Sequence, residues 1–110
     1  MRLKDYLRQY IEKKIQYHKE AKTDAEIAQR IIEGINTRDA NYIVSLESLW
    51  KDEGEQSVTV EHRGTIDAAI KAAEAEFRST NHINDVQATY HVELCLDIVN
   101  ITIPPQYYKR

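Results

Sequence analysis

The chain has 110 residues, 42% of them apolar and 30% charged, with a net charge of −3. That is a normal globular balance, which argues against wholesale disorder and gives no bulk-charge signal for nucleic acid. A single cysteine, Cys95, excludes an internal disulfide and fits a reducing compartment.

No basic start joined to an apolar run marks a signal peptide, and the apolar runs are too short to span a bilayer. The expectation is therefore a cytoplasmic protein with no membrane association. The length suits a single domain, 1–110, that buries roughly two thirds of its unfolded surface. Little is left for a deep private pocket, so a large ligand would be held between subunits. Charge is unevenly spread: residues 1–22 carry seven Lys/Arg against three Asp/Glu, whereas 23–110 carry eight against fifteen. The basic head suits either the chain's own acidic body or an acidic partner.

In chain order, Leu3, Tyr6, Leu7, Tyr10, Ile11, Ile15 and Tyr17 recur at spacings of three and four, which predicts an amphipathic helix over 2–20. Thr23 and Glu26 read as a capping box opening a second helix, with Ile27, Ala28, Ile31, Ile32 and Ile35 as its stripe and Gly34 and Asn36 closing it. The two are expected to form a helical hairpin over 1–36.

From Tyr42 the period becomes two. Tyr42, Val44, Leu46 and Trp50 share one face, and Val58, Val60 and His62 share the face of the next strand, with a polar turn at 51–56 between them. Thr65 reads as the N-cap of a further helix with Ile66, Ala69, Ile70, Ala73 and Phe77 inward, ending near Arg78. Val86, Ala88, Tyr90, Val92, Leu94 and Leu96 then alternate with polar residues. Past Asp97 the apolar set shifts by one, to Val99, Ile101 and Ile103. Such a slip means a bulge or a turn; with no Gly or Asn-Gly for a tight turn, the reading favours one long bulged strand over a split into two. Pro104-Pro105 ends it, leaving 104–110 as a tail.

The expected architecture is α+β: a two-helix hairpin, then an antiparallel sheet unit, 42–103, with one inserted helix, in the order α-α-β-β-α-β. A strand that long would project and pair with a second copy, so a homo-oligomer is expected.

Over Tyr42–Phe77, about a third of the chain, strand–turn–strand–helix ending in Thr65-Ile66-Asp67-Ala68-Ala69-Ile70 resembles the N-terminal half of HicB-type antitoxins. That family has one more strand before the helix and lacks a two-helix head, so no function is carried over.

Chemistry-bearing residues collect on the polar sheet face: Glu47, Glu61, Arg63, His91, Glu93 and Asp97. His91 and Glu93 are two apart on a strand and therefore share a face. Beside Glu61 and Arg63 they would form a His/carboxylate/Arg cluster suited to acid–base work or metal binding. The plainer reading, a solvated face with cross-strand ion pairs, is preferred. No metal-ligand spacing, nucleophile motif or phosphate loop occurs, and no catalytic residue, metal ligand or cofactor is assigned. Cys95 has no sequence-local activating partner and reads as an inert thiol.

By elimination, the expected function is that of a non-catalytic binding protein. It would act as a homo-oligomer that engages a protein partner or a small anionic ligand at a subunit boundary, like the anti-defence accessory proteins of phages and mobile elements. Arg63, Arg78, His91, Glu93, Lys109 and Arg110 are the candidate ligand-binding residues. Two alternatives stand beside it. Arg8, Lys13 and Lys14, interleaved with Tyr6, Tyr10 and Tyr17, have the composition of a nucleic-acid surface. A small enzyme working on the polar face is the other.

Overall fold

Residues 2–16, 36–50, 54–96 and 100–108 are described by the structure, a computed structural model, with residues 14–16 described as backbone only. Two compact units divide the chain, Met1–Thr37 and Arg38–Arg110.

In the first unit, helix α1 runs Leu3–Gln16, with Asp5 in the first turn near the positive end of the helix dipole. Leu7 and Ile11, four residues apart, are buried, while Arg2, Lys4, Arg8, Gln9, Glu12 and Lys13 are exposed. The helical period read from the sequence thus holds over Leu3–Gln16, and the expected continuation through 17–20 lies outside the described residues. The tilted rings of Tyr6 and Tyr10 lie 6.4 Å apart between these two sides. The expected second helix, with its capping box at Thr23 and Glu26, lies outside the described residues.

Among its described residues, the second unit is a four-stranded antiparallel sheet with one α-helix and a short 3-10 helix, Pro105–Tyr107. Strands β1 (Ala40–Ser48) and β2 (Val58–Gly64) form a hairpin; helix α2 (Ile66–Asn81) follows; strands β3 (Ala88–Cys95) and β4 (Asn100–Thr102) complete the sheet in the order β2-β1-β3-β4. Among the described residues the architecture is α+β with helix α1, then strands, then helix α2.

Period-two alternation sorts every strand into an inner and an outer face. Tyr42 pairs with His62 on one side and Leu94 on the other, Val44 with Val60 and Val92, and Leu46 with Val58 and Tyr90. These rows form the inner face, on which Tyr42, Val44, Leu46, Val92 and Leu94 are fully buried. Helix α2 lies across β2 and β1. It is held at one end by Thr65, whose hydroxyl accepts from the Ala68 amide at 3.1 Å, and closed at the other by His82 in the left-handed region, whose amide donates to Arg78. Ile66, Ala69, Ala73 and Phe77 are its buried stripe, and the two alanines let the helix backbone approach the sheet closely. The Tyr90 hydroxyl donates to the Glu74 carboxylate on α2 at 2.6 Å. Burial first, and that carboxylate second, push its pKa up.

Gly64, at φ +145°, links β2 to the N-cap of α2, and a Cβ there would sit 3.4 Å from the His62 ring. A side chain at this position is therefore disfavoured by backbone conformation, while the space beside His62 would admit a Cβ in ordinary contact.

Three sequence expectations need correction. The final strand is not one long bulged element but a hairpin, β3 then β4. Leu94 pairs with Ile101, and the Ile103 amide donates to Val92 O at 2.8 Å. In this register, even-numbered residues of β3 share a face with odd-numbered residues of β4. The one-residue slip is therefore the signature of the reversal itself, and Ile101 and Ile103 are buried on the same side as Val92 and Leu94. Four residues separate Cys95 from Asn100, enough to need no Asn-Gly turn. With the long strand goes the reason for expecting it to project toward a second copy.

Second, α2 continues three residues past Arg78, to Asn81. Third, Trp50 is not on the inner face of β1. The strand ends at Ser48, and Leu49 and Trp50 form the turn that follows.

Candidate functional site

The outer sheet face carries most of the residues singled out in the sequence. The register places them in rows: Arg63, Asn41, Cys95 and Asn100 in one; Glu61, Ile43, Glu93 and Thr102 in the next; Thr59, Ser45 and His91 in the third. Strand β1 separates β2 from β3, so Glu61 and Arg63 sit two strand spacings, roughly 10 Å, from His91 and Glu93 along the backbone. The cluster that required the last strand to lie beside Glu61 and Arg63 is split in two.

Arg63 instead pairs with Asp39 at 2.9 Å, an exposed contact that holds the Asp39 carboxyl below its ordinary pKa through the hydrogen bond and the guanidinium charge. His91 Nε2 lies 2.9 Å from Glu93 Oε1, and Asn100 donates to the other carboxylate oxygen at 3.5 Å. Ser45 and Thr59 share a hydroxyl contact at 3.1 Å.

Burial, followed by the negative charges of Glu61 and Glu93, pushes the Cys95 thiol up, away from the thiolate that nucleophilic chemistry uses. Among the described residues, no group of three or more His, Cys, Asp and Glu side chains is placed to hold a metal ion.

The candidate ligand residues are likewise dispersed. Arg78 is exposed in the last turn of α2, on the layer opposite the outer face that carries Arg63, His91 and Glu93. Lys109 and Arg110 lie outside the described residues. For the nucleic-acid alternative, Arg8 and Lys13 are exposed on α1, and the side chain of Lys14 lies outside the described residues. Among the described residues, no helix is long and apolar enough to cross a membrane.

A different constellation forms at one end of the sheet, where the β1–β2 turn meets the α2–β3 loop. Two consecutive apolar residues, Leu49 and Trp50, cannot both continue an alternating strand. The chain leaves the sheet there with Leu49 62% and Trp50 47% exposed. Beside Trp50 opens a recess of about 410 Å³, lined also by Glu55, Ile83, Asn84, Asp85 and Gln87.

Its walls are fixed by hydrogen bonds. The Leu49 amide donates to Gln87 O at 3.1 Å, and the Trp50 indole N–H donates to the Gln87 side-chain oxygen. Buried Ser48 accepts from the Trp50 amide at 3.0 Å and donates to Glu55 Oε2 at 2.6 Å. Asn81 clamps the far side: its side-chain oxygen accepts from the Gln56 amide at 2.6 Å, and its amide nitrogen lies 3.0 Å from both Gln56 O and Phe77 O. Sequence reasoning missed these residues. The available signal was the break in alternation at Leu49-Trp50, two consecutive apolar residues directly before the polar turn at 51–56.

Comparison of the chain with protein-family models, with curated proteins and with solved structures finds no match.

Proposed function

We propose that this chain is a non-catalytic binding protein that engages a partner at the sheet-end recess beside Trp50. The supporting observation is the exposure of Trp50 on a recess whose walls are already hydrogen-bonded in place, with exposed Leu49 next to it in the chain. Tryptophan is the residue most enriched among binding hot spots, and a pre-built site avoids much of the ordering cost of association. Leu49 and Trp50, consecutive and both exposed, offer apolar surface among polar residues, the usual anatomy of a recognition patch. An accessory protein that acts by occupying a partner's surface needs no more than this.

A peptide-display selection against the folded protein is the test. Enriched peptides should lose binding to Trp50→Ala and keep it to His91→Ala. Peptides that bind Trp50→Ala undiminished would remove the recess from the proposal.

One observation favours self-association as part of the same reading. Among the described residues, strand β2, whose charged side chains are Glu61 and Arg63, is a seven-residue sheet edge paired in register with β1, and it contains neither Pro nor Lys. These are among the devices that blunt exposed edges; β4, at the other edge, has three residues and is followed by Pro104 and Pro105. Pairing of β2 with β2 of a second copy would extend the sheet. Size-exclusion chromatography with light scattering should then show a dimer that Thr59→Pro, at a position whose N–H faces away from β1, converts to monomer. A wild-type monomer at high concentration would exclude it.

A further inference from the structure

We infer that the recess takes a cationic side chain, arginine or lysine, from a partner polypeptide. The inference rests on the binding reading above and gives it a chemical class. The lining supplies the three things such a side chain needs. Glu55 and Asp85 bring two carboxylates, and no basic side chain lines the recess among the described residues. Trp50 brings an aromatic ring, the best of the aromatic partners for a guanidinium or ammonium group. Ile83 and the ring together offer apolar surface for the aliphatic stem, which arginine and lysine bury while their heads meet polar groups.

Glu55 Oε2 is held by Ser48, which positions the carboxylate while leaving its second oxygen outside that hydrogen bond. Gln87 accepts from the indole N–H and so fixes the orientation of the ring. The occupant is assigned to a polypeptide and not to a free amine because Leu49, next to Trp50 in the chain and 62% exposed, offers an apolar contact to a further residue of the same partner. The charge of this site is opposite to that of the small anionic ligand expected from the sequence.

Trp50 is the only tryptophan in the chain, so tryptophan emission, excited selectively over tyrosine, reports this site alone. The experiment titrates the full chain with a short peptide carrying one central arginine, with the same peptide carrying neutral, isosteric citrulline, and with ethylguanidinium. The arginine peptide should perturb Trp50 emission saturably, the citrulline peptide should bind roughly tenfold more weakly, and ethylguanidinium more weakly than the arginine peptide. Added salt should weaken the arginine peptide and leave the citrulline peptide unchanged. Glu55→Gln and Asp85→Asn should each reduce the preference for arginine over citrulline, with circular dichroism confirming that both variants fold.

Equal binding of arginine and citrulline peptides would overturn the cationic assignment while leaving the recess as a binding site. Ethylguanidinium binding as tightly as the arginine peptide would overturn the polypeptide assignment. Emission unmoved by any of the three would overturn the cationic assignment, and if selected peptides also ignore Trp50→Ala, the recess reading falls with it.

Discussion

Tyr42, Val44 and Leu46 on β1 are fully buried, whereas Ile43, Ser45 and Glu47, each one residue away, stay partly or wholly exposed. The two faces of one sheet therefore obey different rules. On the inner face each position answers to packing: a side chain is apolar because α2 or its strand neighbours leave no room for water. On the outer face the residues answer to their cross-strand neighbours, and those neighbours are set by topology. His91 and Glu93 meet because they share a strand, while Glu61 and Arg63 do not join them because β1 lies between. Energetic weight should accordingly be concentrated on the inner face and almost absent from the outer one.

The largest effect belongs to the inner face. Phe77→Ala removes a fully buried ring from α2 and should cost about 3–5 kcal/mol, a large share of the stability of a domain this size. Urea unfolding measures it, and a loss comparable to that of an outer-face substitution would erase the contrast between the faces.

Alkaline pH probes the same layer. Burial pushes the Tyr42 phenol up from 10.0 to about 12. The raised pKa means that the native state holds its proton when the unfolded chain has released it. Stability is therefore full below pH 10 and falls as pH rises toward 12, by at most about 1.4 kcal/mol per pH unit for this group. Tyr42→Phe should flatten that slope in unfolding measurements made across the interval; an unchanged slope would place the titration elsewhere.

Gly64→Ala should cost roughly 1–3 kcal/mol, because φ +145° is unfavourable for alanine. A neutral thermal shift would mean that the junction between β2 and α2 tolerates another backbone conformation. Thr65→Ala, which removes the cap of α2, should lower stability by about 1 kcal/mol, with Thr65→Ser retaining it.

The smallest change is expected on the outer face: His91→Ala deletes an exposed contact and should move stability by no more than about 0.5 kcal/mol. A loss several times larger would show that the face holds something beyond solvated pairs.

The same division explains what could be read from the chain. The alternation of Tyr42, Val44 and Leu46, of Val58, Val60 and His62, and of Tyr90, Val92 and Leu94 identified the strands and their inner side, because burial acts on each residue separately. The Thr65 cap and the Ala69, Ala73 and Phe77 stripe identified α2 for the same reason. Strand order was not encoded in this way, so the grouping of Arg63 with His91 and Glu93 could not be checked until β1 was seen between them. The shift from Leu94 to Ile101 was present in the sequence. It has the same appearance for a bulge and for a reversal, and only the pairing register separates the two. The recess was hidden for a further reason. Trp50, Glu55 and Asp85 lie up to 35 positions apart, in two loops without periodicity, and their meeting depends on Asn81, Ser48 and Gln87 tying those loops together.

The most direct test of where this molecule binds is an amide correlation spectrum of the isotope-labelled chain, recorded as the arginine peptide is added. Shifts confined to Leu49, Trp50, Glu55 and the 83–87 loop, with Glu61, His91 and Glu93 stationary, are the expected result. Shifts that spread instead across Glu61, His91 and Glu93 would contradict it and return the outer face of the sheet to the centre of the account.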